Sequence, residues 1–361
     1  MEIVKVEAKA WSLPLRAPFQ VAKRTAYEAK NVLVAVTADD GTIGYGAAAP
    51  VAYVTGESVE SVLTAIRTVT PPYDGQPVER LYPLLQVAEG VLSSAPSARA
   101  AMEIALFDLW GKRWRMPLWH YFGGAQQAIT TDLTIPIVEP REAAELAKEA
   151  FSAGFTHFKI KVGSPDGVEQ DFARIAAAVE AAPRAKLRID ANQAFTPDRA
   201  VAFIEKLADK TASHLELVEQ PVDKTDFAGL KYVKDHAHVP VIADESAQTV
   251  SDVRRLFRDD AVDGINIKIM KSGILGAMQI TNMCRSWGKK SMIGCMLESR
   301  LGQTASCFLA AGFGCFHYVD LDAHRLLAPD SSVTGGYQED GNQLIVENSK
   351  PGWGVCIESA R

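Results

Sequence analysis

Ionisable residues punctuate the second half of the chain at an interval that suits chemistry. Lys161, Asp190, Glu219, Asp244 and Lys268 each close a short apolar run, and successive members lie 29, 29, 25 and 24 residues apart. Lys159 shares a strand face with Lys161, and Glu298, Asp320 and Asp322 continue the series. Taken singly, a Lys-x-Lys is ordinarily a solvated strand edge, and a strand-end acid is ordinarily a helix cap or surface ion pair. Repetition changes the reading, because charges at the ends of strands covered on both faces need partners. Asp190, Glu219 and Asp244, with no His or Cys among them, suit a hard divalent ion: Mg²⁺ first, with Mn²⁺ as substitute. Lys161 and Lys268 would flank a substrate held beside that ion. The set suits proton removal α to a carboxylate, with the metal stabilising the enediolate as it forms. A lysine base needs its pKa brought down from about 10.4, and the neighbouring cation Lys159 and the metal both push that way. Two bases on opposite faces would invert a stereocentre, whereas one base would serve elimination or retention.

Repeated strand–helix units must position these groups. Apolar runs at 130–135, 155–162, 186–191, 214–219, 239–244, 263–269, 291–297 and 316–321 read as eight strands. Helical patterns separate them, clearest at 140–152, 168–181, 197–208 and 273–287. Alternation of this kind predicts an α/β fold with a parallel sheet, and eight units predict a closed barrel with its chemistry at the C-terminal mouth. Earlier in the chain, alternating runs at 3–10 and 31–38, the Asp39-Asp40-Gly41 turn and 42–46 predict an antiparallel meander. A helix over 98–114 follows, with Ser97 as its N-cap, Pro117 as its stop and Met102, Ala105, Leu106 and Leu109 at core spacing. From about residue 325 no further strand–helix unit is legible.

Composition narrows the setting. The 361 residues are 47% hydrophobic and 23% charged, with net charge −6, enough apolar material for a full core and no electrostatic footprint for nucleic acid. The five cysteines form no C-x-x-C pair and sit mostly in apolar surroundings, which points to free thiols. No signal-peptide pattern opens the chain and no run reaches 18 apolar residues, so a cytoplasmic protein without membrane partners is expected.

The motifs Lys159-Ile-Lys161, Asp190-Ala-Asn192, Glu219-Gln-Pro221, Ala243-Asp244-Glu245-Ser246 and Asn266-Ile-Lys268 resemble the enolase superfamily, specifically its muconate-lactonizing-enzyme subgroup. The resemblance spans essentially the whole chain. It implies an α+β capping domain at 1–125, a modified TIM barrel of (β/α)₇β type at 126–324, and a segment at 325–361 that rejoins the cap. It further implies Lys161 and Lys268 as paired acid/base catalysts and Lys159 as an aid at the substrate carboxylate. Homo-oligomers are common in such families.

Asp320-Leu321-Asp322 narrows the reaction, since two same-facing carboxylates suit an ammonium group. The pair resembles that of dipeptide epimerases, alanyl-glutamate epimerases included, where it holds the substrate's free N-terminus. The alternatives on this scaffold are o-succinylbenzoate synthase, N-acylamino-acid racemase and muconate cycloisomerase, and outside enzymology a ligand-binding barrel. Segment 19–29 is, by resemblance, a cap loop whose Arg24 either pairs a substrate carboxylate or is a surface arginine. Met296 and Leu297 either meet a substrate side chain or pack in the core. Glu298, Thr134 and Asn192 are candidate polar contacts. Ala47 stands where relatives often carry an acid, which favours a hydrophobic or broad dipeptide range, with Ala-Glu close behind.

Overall fold

The computed structural model describes residues 1–211 and 214–358. The chain opens with an antiparallel sheet of β1 (Ile3–Val21), β2 (Arg24–Ala38) and β3 (Ile43–Ala48). The first two strands are far longer than the alternating runs at 3–10 and 31–38. Their outer halves pack Leu13, Ala26 and Ala29 against Leu297 and Leu327 at the barrel mouth, which gives an otherwise exposed ribbon an apolar footing. Segment 19–29 is therefore the tip of a β-hairpin, not a loop.

Five helices follow: α1 (Ala52–Thr55), α2 (Val59–Tyr73), α3 (Leu81–Val91), α4 (Pro96–Arg113) and α5 (Leu118–Tyr121). A reciprocal Ser58–Ser61 capping box starts α2. The expected Ser97 cap of α4 is corrected by the structure. The helix begins at Pro96, and Ser97 lies inside it. Its orphan donors are satisfied from 40 residues upstream, where the Glu57 carboxylate accepts the N–H groups of Ser97 (2.8 Å) and Ala98 (3.2 Å). Met102, Ala105, Leu106 and Leu109 are all buried. The helix lies so close to β3 that a β-carbon on Gly46 would overlap the Ala101 carbonyl oxygen.

After β4 (Ala128–Thr130), eight strands and seven helices alternate among the described residues. They run β5 (Leu133–Ile135), α6 (Pro140–Ser152), β6 (His157–Lys161), α7 (Val168–Ala181), β7 (Lys186–Asp190), α8 (Pro197–Thr211) and β8 (Leu215–Glu219). The series continues through α9 (Phe227–His236), β9 (Val241–Ala243), α10 (Val250–Arg258), β10 (Gly264–Ile267), α11 (Ile269–Ser286), β11 (Lys290–Gly294), α12 (Arg300–Phe313) and β12 (Tyr318–Asp320). Neighbouring strands from β5 to β12 pair in parallel, as the sequence pattern requires. The seam closes through the Asp132 N–H on the Val319 carbonyl (3.2 Å) and the Leu321 N–H on Thr131 Oγ1 (2.8 Å). Helix starts follow local chemistry. Pro140 opens α6, whose Ala143, Ala147 and Ala150 face the sheet, and a Thr249–Asp252 box opens α10. In α11 a short helical segment from Ile269 precedes a kink at the non-helical Gly273 (φ 69°), and the helix expected from 273 runs on from there to Ser286. The Glu103 carboxylate of α4 caps the far side of that kink, accepting the N–H groups of Ile274 (2.5 Å) and Leu275 (3.0 Å).

The last segment forms α13 (Ala323–Leu326), β13 (Val333–Gly335), β14 (Tyr337–Asp340), β15 (Gln343–Val346) and β16 (Val355–Ile357). Here β15 pairs with β4, and Trp353 is buried against Phe107 of α4 and Phe122 while its backbone N–H donates to Asp108 and its indole N–H to the Ile104 carbonyl. No described helix is long and apolar enough to cross a membrane, and all five cysteines are free thiols.

Two outcomes follow from this packing. Gly46→Ala forces α4 off β3 and is expected to cost about 1–3 kcal/mol, read as a lower urea midpoint. Burial raises Glu103 to about 7, against the pull of the Leu275 N–H, Arg99 and the Ile274 N–H. The folded chain therefore holds this proton more tightly than the unfolded chain does. That contribution is fully present below pH 4.5 and is lost as pH rises toward 7. Glu103→Gln should consequently gain up to about 3 kcal/mol on its parent between pH 4.5 and 7.5, measured by urea unfolding at each pH.

Candidate active site

Four successive barrel strands, β7 to β10, each end by delivering one ionisable group toward a common mouth. Asp190 ends β7, Glu219 ends β8, Asp244 follows β9 and Lys268 follows β10, all of them buried. Beyond two of these strands the backbone turns through left-handed conformations rare for side-chain-bearing residues, at Asn192 (φ 42°) and Gln220 (φ 37°). The first turn lets Asp190 Oδ1 accept the Asn192 N–H at 2.9 Å. The second lets Gln220 clamp two strand ends together. Its Oε1 accepts the N–H groups of Asp244 and Ser246, and its Nε2 donates to Ser246 Oγ. Asn266 donates to Glu219 Oε1 at 2.8 Å, so the Asn-Ile-Lys motif positions an acid as well as a lysine.

Ammonium groups hold these acids. Lys159 Nζ lies 2.7 Å from Asp320, 2.9 Å from Glu219 and 3.1 Å from Asp190. Lys161 donates to Asp190 Oδ2 (2.5 Å), Lys268 to Asp244 Oδ2 (2.7 Å) and Lys271 to Asp244 Oδ1 (2.6 Å). Burial alone would lower the Lys159 pKa, but Asp320, Glu219, Asp190 and Asp244 outweigh it and hold the ammonium well above its ordinary range. Burial likewise opposes the Lys268 ammonium, and Asp244 more than restores it. Lys159 is thus tied into the acids rather than left as an uncompensated cation beside Lys161.

Among the described residues no ready-made cage of three His, Cys, Asp or Glu groups exists. The donor chemistry nevertheless fits a divalent cation. Asp190, Glu219 and Asp244 offer only carboxylate oxygens, and the buried Glu219 Oε2 makes no hydrogen bond although the Lys159 ammonium lies 2.9 Å from it. Burial, then repulsion from Asp190, pushes Glu219 up to about 7, while Lys161 and Lys159 hold Asp190 down at about 2 despite its burial. Within the triad, Glu219 is the acid least matched by positive charge.

Opposite the triad, β12 supplies the second acidic pair. Both Asp320 and Asp322 line the cavity, and Asp322 accepts the Thr134 N–H at 2.5 Å. Their environments differ. Burial acts to raise Asp320, and Lys159 and Lys268 bring it below its usual range. Burial and the Asp320 charge push Asp322 up to about 6. One acid is matched by a cation, and the other calls for one.

The mouth cavity is lined by Thr134, Lys159, Lys161, Asn192, Asp244, Lys268, Met296, Leu297, Asp320, Asp322 and Arg24, all singled out by the sequence. Asp190 and Glu219 lie beneath it, fully buried. Glu298 is not among the lining residues. Its Oε1 accepts the Met296 N–H (2.9 Å), its other oxygen faces Gly302, and burial pushes it to about 7. The sequence reading does not single out Val51, Tyr53, Val54, Glu245, Cys295 and Leu326, and it reaches Phe19 and Val21 only as part of segment 19–29. Glu245 stands in a quoted motif and is signalled by its place beside Asp244. Tyr53, whose ring carries the exposed Arg24 guanidinium at 5.5 Å, comes from α1 and has no local signal.

Comparison with known proteins agrees with this geometry. Residues 3–123 match the mandelate racemase / muconate lactonizing enzyme N-terminal domain, and residues 142–361 match the enolase C-terminal domain-like family. The chain belongs to the mandelate racemase / muconate lactonizing enzyme family. Within that family it is 38% identical to the L-Ala-D/L-Glu epimerase of Bacillus subtilis, over 98% of this chain and 97% of the relative. It is 37% identical to the hydrophobic dipeptide epimerase of Enterococcus faecalis, over 98% and 99% of the two chains. A solved dipeptide epimerase from Enterococcus faecalis, complexed with Mg and the dipeptide L-Leu-L-Tyr, superposes with TM-score 0.93 at 37% identity. That match covers 99% of this chain and all of the other.

As a member of this family whose triad holds a poorly matched Glu219, the protein should be stabilised by Mg²⁺. A concentration a hundredfold above Kd is expected to add about 2.7 kcal/mol, seen as a rise in Tm. Glu219→Gln should lose most of that rise, and an unchanged Mg²⁺ response would contradict the triad's role.

Proposed function

We propose that the protein is a Mg²⁺-dependent dipeptide epimerase that inverts the α-carbon of the C-terminal residue, with Mn²⁺ as a substitute ion. The observation that carries this reading is the arrangement around one cavity. Lys161 and Lys268, from strands four apart in an eight-stranded barrel, line it together with Asp244, Asp320 and Asp322, and Asp190 and Glu219 lie beneath. When bound, the divalent ion supplies the positive charge that stabilises the substrate carboxylate as its α-carbon loses a proton. Lys161 and Lys268 carry the transfer, one removing the proton from one face and the other returning one to the opposite face. Asp320 and Asp322 bind the free ammonium, and Lys159 fixes Asp320 in place. Met296 and Leu297 give apolar contact to a substrate side chain, and Arg24 at the hairpin tip stands where a longer or acidic side chain would reach it. Thr134 holds Asp322, and Asn192 holds Glu245.

A dipeptide library incubated with the protein and Mg²⁺ in D₂O tests this reading. Epimerised products carrying one deuterium at the C-terminal α-carbon are expected, and no incorporation across the library would overturn it. Asp322→Asn removes a charge-assisted contact of about 1.5–3 kcal/mol, so kcat/KM for free-amine dipeptides should fall about 10- to 100-fold. Turnover of N-acylated substrates equal to that of free-amine dipeptides would favour an N-acylamino-acid racemase instead.

A further inference from the structure

The mouth cavity is small, about 60 Å³, which is room for little more than a few waters or the backbone of a dipeptide. The side chains must extend elsewhere. Two larger cavities adjoin it. One of about 560 Å³ lies under the hairpin and shares Arg24, Val51 and Leu297 with the mouth. The other, about 270 Å³, lies between the hairpin and α6 and shares Phe19, Thr134 and Leu326 with the mouth.

From this arrangement we infer that the second cavity holds the side chain of the substrate's first residue and selects for a large apolar one. The inference rests on the epimerase reading above. Thr134, which walls this cavity, donates its N–H to Asp322, so an ammonium held by the acidic pair sits beside the opening. The first residue's α-carbon is one bond, about 1.5 Å, from that nitrogen, and its side chain leaves from there. Beyond the opening the walls are Leu133, Leu146, Ala150 and Phe155. Arg16 and Arg325 offset Glu142 and Glu149, so neither sign of charge prevails. The Arg325 guanidinium is already engaged over the Phe155 ring at 5.1 Å. An apolar group gains here by leaving water.

The test compares kcat/KM for Leu-X or Phe-X with Ala-X at a fixed second residue. A preference of at least about tenfold for the large first residue is expected, since hydrophobic pockets discriminate at that scale. Leu146→Trp fills the cavity from half-buried α6 and should cut the ratio about tenfold. Ala153→Phe narrows its exposed rim with little risk to folding and should move the ratio the same way. A ratio near one in the parent, or a ratio unmoved in Ala153→Phe and in folded Leu146→Trp, would overturn the assignment. An equal change in selectivity for the second residue would also overturn it. If no dipeptide is turned over, the epimerase reading itself fails, an outcome distinct from turnover without first-residue selectivity.

Discussion

A single buried ammonium organises the barrel mouth. Lys159 Nζ contacts acids on three strands, Asp190 of β7, Glu219 of β8 and Asp320 of β12, in a place almost wholly removed from water. Ions in such surroundings persist only when paired, and removing one partner leaves an uncompensated charge costing several kcal/mol. Around this centre Asp132, Asp190, Glu219, Asp244, Glu245, Asp320 and Asp322 meet Lys159, Lys161, Lys268, Lys271 and Arg188. Acids outnumber bases, and the imbalance shows where pairing is poorest. Glu219, Glu245 and Asp322 are all pushed toward neutrality by burial and neighbouring carboxylates. A divalent ion and a substrate ammonium are the charges that would complete such a site.

The scaffold exists to hold that imbalance in place. Parallel strands with apolar interiors cannot release their end charges to solvent, and the seam through Asp132 and Thr131 brings β12 round beside β5. Arg188 carries the restraint further, binding Asp132 at 2.7 Å and the Val319 carbonyl at 2.8 Å behind the acidic pair. From outside, the hairpin tip and α1 roof the mouth, keeping it dry enough for these charges to act strongly on one another. Cap and barrel are tied by Glu103 on the kink of α11 and by Trp353 in the α4 pocket.

Much of this was legible in the sequence, and the reason is regular spacing. One strand–helix unit per interval makes the strand ends countable, so Lys161 through Lys268 and the Asp320–Asp322 pair could be placed around one mouth without coordinates. Features depending on contacts across long separations were not legible. The hairpin extends because Leu297 and Leu327 lie beneath it, some 300 residues away in sequence. Glu57 caps a helix it does not adjoin, and Tyr53 enters the site from a four-residue helix without pattern. Glu298 carries the right residue type at the right strand end, yet its side chain folds back on its own loop.

The central claim is that Lys161 and Lys268 address opposite faces of one α-carbon. The direct measurement is solvent deuterium exchange in Lys161→Arg and Lys268→Arg, each offered the two C-terminal antipodes of one dipeptide separately with Mg²⁺ present. The account predicts that neither variant epimerises, and that each still exchanges only one antipode, a different one for each variant. Loss of both exchanges in one variant with both retained in the other would assign the chemistry to a single base and contradict it.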